Sequence, residues 1–215
     1  TFSYGVSDGT ATVATTATLD ITAVNDAPVT TPVTLAAIAE DSGPRLITQA
    51  QLLANASDVD NPSLTAVNLQ ITSGGGSLDN NGDGTWTYHP ASNDDTAVTF
   101  SYGVSDGTAT VATTATLDIT AVNDAPVVAQ AIADQGATQG NPFSFQFAAN
   151  TFNDVDGDPL TYTATLDPVG SLPAWLHFDG STRTFSGTPT NADIGTIAVK
   201  VTASDGTLSV SDTFN

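Results

Sequence analysis

The segment TFSYGVSDGTATVATTATLDITAVNDAPV, Thr1 to Val29, recurs without a single change from Thr99 to Val127, 98 residues further along the chain. A self-match of this length constrains the fold more than any short motif, because each copy in a tandem array must solve the same packing problem. Residues Thr1 to about Val24 then read as the closing strands of an upstream copy whose opening strands lie outside this sequence. The second occurrence closes a complete unit that begins near Ala27. The expected division is therefore 1–26, the C-terminal strands of a truncated upstream repeat; 27–125, one complete repeat; and 126–215, a further domain with a different sequence and the same logic. The AVNDAPV at the end of each copy is the expected joint between modules, where Pro ends strand pairing and stiffens the exit.

Within the repeat, Phe2, Tyr4 and Val6 alternate with small residues, Ser7-Asp8-Gly9 makes a turn, and Val13, Ala17, Leu19 and Ile21 continue an inward-facing alternation. The abundance of Thr and Val suits pleated, half-buried surfaces. Glu40 to Pro44 reads as a turn between two strands, where Glu40 is expected to be solvated rather than to reach a joint from the neighbouring unit's side, and QAQLLANA (Gln49–Ala56) reads as one or two helical turns. Ser57 to Pro62 forms an acidic loop ahead of an alternating strand from Leu64 to Ile71. Gly74 to Gly76 and Asp79 to Gly84 read as turns around Leu78 and Trp86-Thr87-Tyr88. Beyond Pro126, Phe143, Phe145 and Phe147 alternate, and Phe152 to Leu160 reads as a second acidic loop. Ser204-Asp205-Gly206 is the counterpart of Ser105-Asp106-Gly107. Short strands with turn signals every 8–12 residues and almost no helical periodicity indicate an all-β chain of antiparallel sandwiches.

Composition narrows the function. Arg45, Arg183 and Lys200 face 23 Asp and Glu, for a net charge of -20. That excludes electrostatic binding of nucleic acid or anionic membrane, which needs a basic patch. With 40% hydrophobic residues in period-2 patterns, the acidic excess belongs to a folded chain that tolerates self-repulsion or binds cations. The absence of Cys rules out disulfides and thiolate metal sites within the sequence. No apolar run reaches the roughly 18 residues of a membrane span, so no direct membrane insertion is expected of this segment.

Two resemblances follow from these motifs. With its EDSG start, DGTWTYHP middle, FSYGVSDG strand and VNDAP joint, the Ala27–Val122 unit resembles the cadherin-like, Ig-type repeats of very large bacterial surface adhesins. The last unit, with DVDGDPLTYTA, LPAWLHFD, FSGTPTNADIGT and VTASDGT in that order, resembles the dystroglycan-type cadherin-like domain. Together they imply tandem Ig-like and cadherin-like β-sandwiches in an extended array on a bacterial cell surface or secreted, stabilised by Ca²⁺ and supporting cell adhesion or biofilm formation. Expected partners are neighbouring repeats of the same long chain and host or cell-surface glycans or proteins.

Ca²⁺ is a hard ion that takes six to eight oxygen ligands from loops able to wrap it. By similarity to cadherins, where a D-x-D loop and a D-G loop lie at the domain end receiving the linker, Asp58, Asp60 and Asp106 should converge on Asn25 and Asp26. Asp154, Asp156, Asp158 and Asp205 should likewise converge on Asn123 and Asp124. Against this stands the ordinary preference of Asp and Asn for solvated turns. The cadherin linker D-x-N-D-N-x-P is here Ala23-Val24-Asn25-Asp26-Ala27-Pro28, and no LDRE-like segment is evident in the middle unit, so one or two ions per joint are expected rather than three. Asp79 to Gly84 superficially matches the start of an EF-hand loop, but the twelfth position is Pro90 where a bidentate Glu is required; a hairpin turn is expected instead. Trp86 and Trp175 are assigned to the core rather than to sugar platforms. His89 and His177 stand isolated, and no nucleophile and base are paired, so no enzymatic activity is expected. Two readings of function remain: a mechanical spacer, and a module in which the last domain binds a glycan or a protein.

Overall fold

The computed structural model describes residues 1–168 and 170–215. The chain divides into two compact units. One comprises Thr1–Ile38, Ser42–Ala91 and Asp95–Thr120; the other comprises Ala39–Asp41, Ser92–Asp94 and Ala121–Asn215. Both are built almost wholly from short antiparallel strands, as the alternating patterns require.

The first unit begins with β1 (Phe2–Ser7) and β2 (Thr12–Ala17), among the described residues paired only with each other, and continues with β3 (Val29–Thr30), β4 (Val33–Ala39) and β5 (Arg45–Thr48). A single helical turn, α1 (Gln49–Leu52), follows. Thr48 caps it, and Gln51 returns a side-chain bond in a capping box, which satisfies the exposed backbone donors of so short an element. Then come β6 (Ala56–Ser57), β7 (Thr65–Ser73), β8 (Ser77–Asn80), β9 (Thr85–His89), β10 (Val98–Ser105) and β11 (Thr110–Thr120). One sheet has the order β4-β11-β10-β7 and the other β5-β9-β8, with β3 paired to β6. Inward residues of the two larger sheets meet in one core that includes Ile47, Trp86, Tyr88, Phe100, Val104 and Leu117. Tyr88 and Phe100 pack edge to face at 5.5 Å, and the buried Tyr102 hydroxyl donates to the Leu52 carbonyl at 2.6 Å. Trp86 is thus a core residue.

Three expectations change here. Asp79 and Asn80 lie in β8 rather than in a turn, because the hairpin closes over Asn81 to Gly84, with Asp83 accepting from the Thr85 backbone at 3.0 Å. In the first copy of the repeat, Leu19 and Ile21 do not continue the strand or face inward; β2 stops at Ala17, and both side chains are exposed. Glu40 is not a solvated turn residue. It is only 4% exposed.

The second unit contains β12 (Val127–Val128), β13 (Phe143–Gln146), β14 (Phe152–Asn153), β15 (Thr161–Leu166), β16 (Leu176–Asp179), β17 (Thr184–Gly187), a 3-10 turn (Asn191–Asp193), β18 (Val199–Ser204) and β19 (Ser209–Phe214). Sheets β13-β17-β16 and β15-β18-β19 enclose an aromatic core, with β12 paired to β14. Phe147 stands edge-on to Phe152 and Tyr162, and Phe185 packs at a tilt against Phe178 with centroids 4.5 Å apart. Such pairs add to the plain burial of their rings. Trp175 is half-buried, edge-on to Phe143 at 6.3 Å, against the rim of this core.

Candidate metal centres

The smallest repeated unit of the candidate sites is the Ser-Asp-Gly turn. Asp106 Oδ1 accepts from the backbone N–H of Thr108 at 2.7 Å and of Ala109 at 2.6 Å. Asp205 Oδ1 does the same with Thr207 at 2.6 Å and Leu208 at 2.7 Å. The following residues, Gly107 and Gly206, have φ of 95° and 104°, a region open to Gly at no steric cost. An Asp side chain that folds back on its own turn in this way is a local event, fixed by neighbours in sequence. It leaves the second carboxylate oxygen pointing elsewhere.

In the first unit that oxygen, Asp106 Oδ2, accepts from Asn25 Nδ2 at 2.9 Å, and the same amide donates to the Asp26 carbonyl at 2.8 Å. The backbone N–H of Asp26 donates to Asp60 Oδ2 at 2.7 Å. Asp58 Oδ1 shapes the acidic loop by accepting from the backbones of Asp60 and Asn61, each at 2.8 Å. Asn61, which was not singled out in the sequence, ties this loop to the Ser-Asp-Gly turn through a 2.7 Å bond from its amide to the Asp106 carbonyl. Its only signal was an amide directly after the D-x-D pair.

The second unit repeats the arrangement except for the Asn61 amide bond, with one more residue between Asp154 and its second backbone donor. Asn123 Nδ2 donates to Asp205 Oδ2 at 3.0 Å and to the Asp124 carbonyl at 3.1 Å. The Asp124 N–H donates to Asp156 Oδ2 at 2.7 Å. Asp154 Oδ1 accepts from the backbones of Asp156 at 3.0 Å and Asp158 at 3.3 Å. Asp158 stands just before Pro159, as Asn61 stands before Pro62, so this centre gains a carboxylate where the first has an amide. Carboxylate oxygens of Asp154, Asp156 and Asp158 all lie within 4.8 Å of one another.

Asn25, Asp26, Asp58, Asp60 and Asp106 are thus brought together in one place, and Asn123, Asp124, Asp154, Asp156, Asp158 and Asp205 in another. Among the described residues, three buried carboxylate oxygens, Asp58 Oδ2, Asp124 Oδ2 and Asp154 Oδ2, have no hydrogen-bond donor. A buried carboxylate oxygen without a donor is costly. Its natural complement is a positive charge, and among the described residues the chain has only three basic side chains to offer. The donor set is oxygen alone and rich in carboxylate, which fits a hard cation.

The electrostatics agree with that fit. Burial raises the Asp124 carboxyl above its ordinary value, and the charges of Asp156, Asp41 and Asp154 push it in the same direction. The Ala109 N–H holds Asp106 below its ordinary value, helped by the Asn25 amide. Asp205 is lowered chiefly by the Asn123 amide, then by the Leu208 and Thr207 N–H groups. Buried Glu40 accepts from the Val122 N–H at 2.7 Å, and Asp41, at a positive φ of 55°, accepts from the Asn93 N–H at 3.3 Å. Glu40 therefore fixes the backbone just ahead of Asn123. The sequence hint was its position directly after the apolar run of β4. The EF-hand-like segment forms no such cluster: Asp79 instead meets His89 across the hairpin at 3.1 Å.

Comparison with known proteins accords with this architecture. Residues 24–120 match the family described as "Cadherin-like domain", and residues 125–215 match the one described as "Putative Ig domain". A search of curated protein sequences finds no match. Among solved structures, three cadherin repeats of protocadherin gamma C5 align with 99% of this chain and 75% of theirs, at 12% identity and a TM-score of 0.54. That is a likeness of fold alone. An endo-fucoidan hydrolase of glycoside hydrolase family 107 aligns with 99% of this chain at 24% identity and a TM-score of 0.36. The human desmocollin-1 ectodomain aligns with 88% at 15% identity and 0.42. The chain spans about a third, 33%, of the length of the hydrolase chain. Domains of the two matched families are typical of extracellular proteins and are generally not enzymes, and no described helix is long and apolar enough to cross a membrane. The chain thus carries, in tandem, a segment similar to a cadherin-like domain, residues 24–120, and one similar to an Ig-like domain, residues 125–215.

Proposed function

We propose that the chain is a Ca²⁺-stabilised spacer of a bacterial cell-surface or secreted adhesin, holding a terminal binding domain away from the cell in adhesion or biofilm formation. In this reading residues 1–26 close an upstream repeat, 27–125 form a full repeat and 126–215 a dystroglycan-type unit. One observation carries it: the same set of hydrogen bonds joins Asn-Asp, D-x-D loop and Ser-Asp-Gly turn at two places in the chain, each with a donorless buried carboxylate oxygen. Asp26, Asp58, Asp60 and Asp106, with Asn25, would hold the ion at the first place. Asp124, Asp154, Asp156, Asp158 and Asp205, with Asn123, would hold it at the second. Bound Ca²⁺ supplies the positive charge that these clustered carboxylates lack. The protein's own part is positional. The turns of Asp58, Asp106, Asp154 and Asp205 engage one carboxylate oxygen of each and leave the other outside the turn, the Asn amides clamp the Ser-Asp-Gly turn to the linker, and buried Pro28 and Pro126 fix the linker's start in the fold. A ligand that binds only the folded, clamped state stabilises it by mass action.

Small-angle scattering at fixed ionic strength, combined with calorimetry, tests the proposal. Ca²⁺ should raise the unfolding temperature, and a chelator should broaden the distance distribution while far-UV circular dichroism stays constant. Identical scattering profiles and melting curves in Ca²⁺ and in chelator would refute it.

A second reading, a glycan- or protein-binding module, draws on a cleft of about 630 Å³ in the Ig-like domain, floored by Phe143, Trp175 and Phe214 and rimmed by Asp134, Gln139 and Thr190. Partly exposed Phe143 and Trp175, beside buried Phe214 and polar groups, are the ordinary furniture of a ligand pocket. Glycan-array screening with Trp175→Ala as control separates the two readings: binding lost in the variant supports the module, and an array with no hits leaves the spacer alone.

A further inference from the structure

The acidic loops of the two centres differ in length by one residue. In the first, Asp58-Val59-Asp60 runs directly into Asn61-Pro62; in the second, Asp154-Val155-Asp156 is followed by Gly157 before Asp158-Pro159. Gly157 has a φ of 78°, a left-handed conformation that Gly adopts at no steric cost, and a Cβ there would meet nothing within 4 Å. Backbone shape, not crowding, therefore calls for Gly at this point.

The residue ahead of the proline changes its task with the insertion. Asn61 is committed to the protein at both ends of its side chain: its oxygen accepts from the Ser63 N–H at 2.9 Å, and its amide donates to the Asp106 carbonyl at 2.7 Å. Asp158 puts a carboxylate in place of that clamp, with an oxygen within 4.8 Å of those of both Asp154 and Asp156. Among the described residues, no trio of acids in the first centre meets that spacing. The second trio is also anchored in the fold, since Asp154 is only 9% exposed and its buried Oδ2 has no donor.

Building on the calcium reading above, we propose that the two centres bind Ca²⁺ with different affinities, that the second fills first, and that Gly157 and Asp158 set the difference. Ca²⁺ affinity is tuned over decades by the number of charged ligands and the rigidity of the site. Asp124 and Asp205 join the trio of the second loop, whereas the first centre has Asp26, Asp58, Asp60 and Asp106 with an amide at the remaining position. The second loop, moreover, gathers three carboxylates within five consecutive residues, 154–158, before the linker adds its own. At intermediate Ca²⁺ the second centre is occupied and the first is not, so the cation concentration sets how many of the two are held.

Two-dimensional ¹⁵N NMR of the 215-residue chain, titrated with Ca²⁺ at fixed ionic strength, reads each centre through its own glycines: Gly107 in the first, Gly157 and Gly206 in the second. Gly157 and Gly206 should shift together, with a midpoint about tenfold or more below that of Gly107. Asp158→Asn should raise the Gly206 midpoint toward that of Gly107 and leave the Gly107 midpoint where it was. Asn61→Asp should not lower the Gly107 midpoint, because the first loop lacks the inserted Gly and the new side chain gives up the bond to the Asp106 carbonyl. Coincident midpoints in the unsubstituted chain, or a first centre that fills before the second, overturn the proposal and leave the calcium reading standing. An unmoved Gly206 midpoint in Asp158→Asn, or an Asn61→Asp chain whose first centre matches the second, overturns the role given to Asp158 and Gly157. Shifts at neither centre at millimolar Ca²⁺ overturn both the proposal and the calcium reading. The order of filling in the unsubstituted chain decides the matter even if a substitution unfolds its loop.

Discussion

The identical copies offer a controlled comparison: Phe100→Ala against Phe2→Ala, the same substitution in the same local sequence. Phe100 is fully buried, paired across strands with Ala115 and Ile71, and edge-on to Tyr88 at 5.5 Å. Removing roughly 150 Å² of buried ring at about 25 cal/mol per Å² costs about 4 kcal/mol. That sits inside the ~3–5 kcal/mol found for Phe→Ala changes that leave a cavity. The lost edge-to-face contact with Tyr88 places the expectation in the upper half of that range. Against a total stability of about 5–15 kcal/mol for a domain of this size, the cadherin-like domain should lose a large part of its stability. Phe2, already in solvent, should cost less than about 0.5 kcal/mol. Urea unfolding followed by fluorescence measures both. A Trp175→Phe background leaves Trp86, which lies in the same core as Phe100, as the sole reporter. The reasoning is refuted if Phe100→Ala costs under about 1 kcal/mol, or if the two substitutions cost the same.

The same logic applied to a hydroxyl predicts that Tyr102→Phe costs about 1–3 kcal/mol by leaving the buried Leu52 carbonyl without its donor, while Tyr4→Phe leaves the melting curve unchanged. Gly187→Ala should selectively destabilise the Ig-like domain, by about 1–3 kcal/mol or more, since its new Cβ would overlap the Trp175 carbonyl oxygen, a backbone atom that cannot swing aside; calorimetry should show the cadherin-like transition unmoved. On acidification, Asp83, Asp106, Asp179 and Asp205 have folded values below the ordinary 3.8. Their contribution is complete above that value and is lost as pH falls through the lower folded values. Asp124 has the opposite sign, its contribution present below 3.8 and lost as pH rises through its raised value. Acid unfolding in metal-free buffer should therefore begin below about pH 4, and Asp106→Asn should flatten its slope. Finally, Asp124→Asn should leave the metal-free Ig-like domain as stable or more stable, by removing a carboxylate crowded by Asp156, Asp41 and Asp154, and should reduce any melting-temperature gain from Ca²⁺; an undiminished gain would take Asp124 out of the ligand set.

Much of the candidate site was legible because its parts are local. Asp-x-Asp and Ser-Asp-Gly announce turns by the hydrogen bonds an Asp side chain makes to backbone two or three residues on. Recurrence beside Asn-Asp marked them as partners. Glu40 and Asn61 were not legible in the same way, since what makes them matter is a backbone group far off in sequence, Val122 for one and Asp106 for the other. The cleft beside Trp175 was equally hidden. Its floor comes from β13, the segment before β16 and the end of β19, which alternation places in a core without saying how deep each ring lies.

The repeated segment draws the boundary between the two kinds of information. Sequence alone determined the hairpin: both copies have the same strand pairing, the same turn with Asp8 or Asp106 accepting two backbone N–H groups, and Gly9 and Gly107 at φ of 91° and 95°. These need only neighbouring residues, and both copies have them. Only tertiary structure decided that β11 runs on to Thr120 while its twin β2 ends at Ala17, and that Ile119 is buried while Ile21 is in solvent. The last residues of β11 lie beside β4, with Thr120 donating to the Ile38 carbonyl; among the described residues, β2 has no such strand beside it. Extension and burial depend on surfaces brought from far along the chain, and without them the same residues stop where their local hydrogen bonds end.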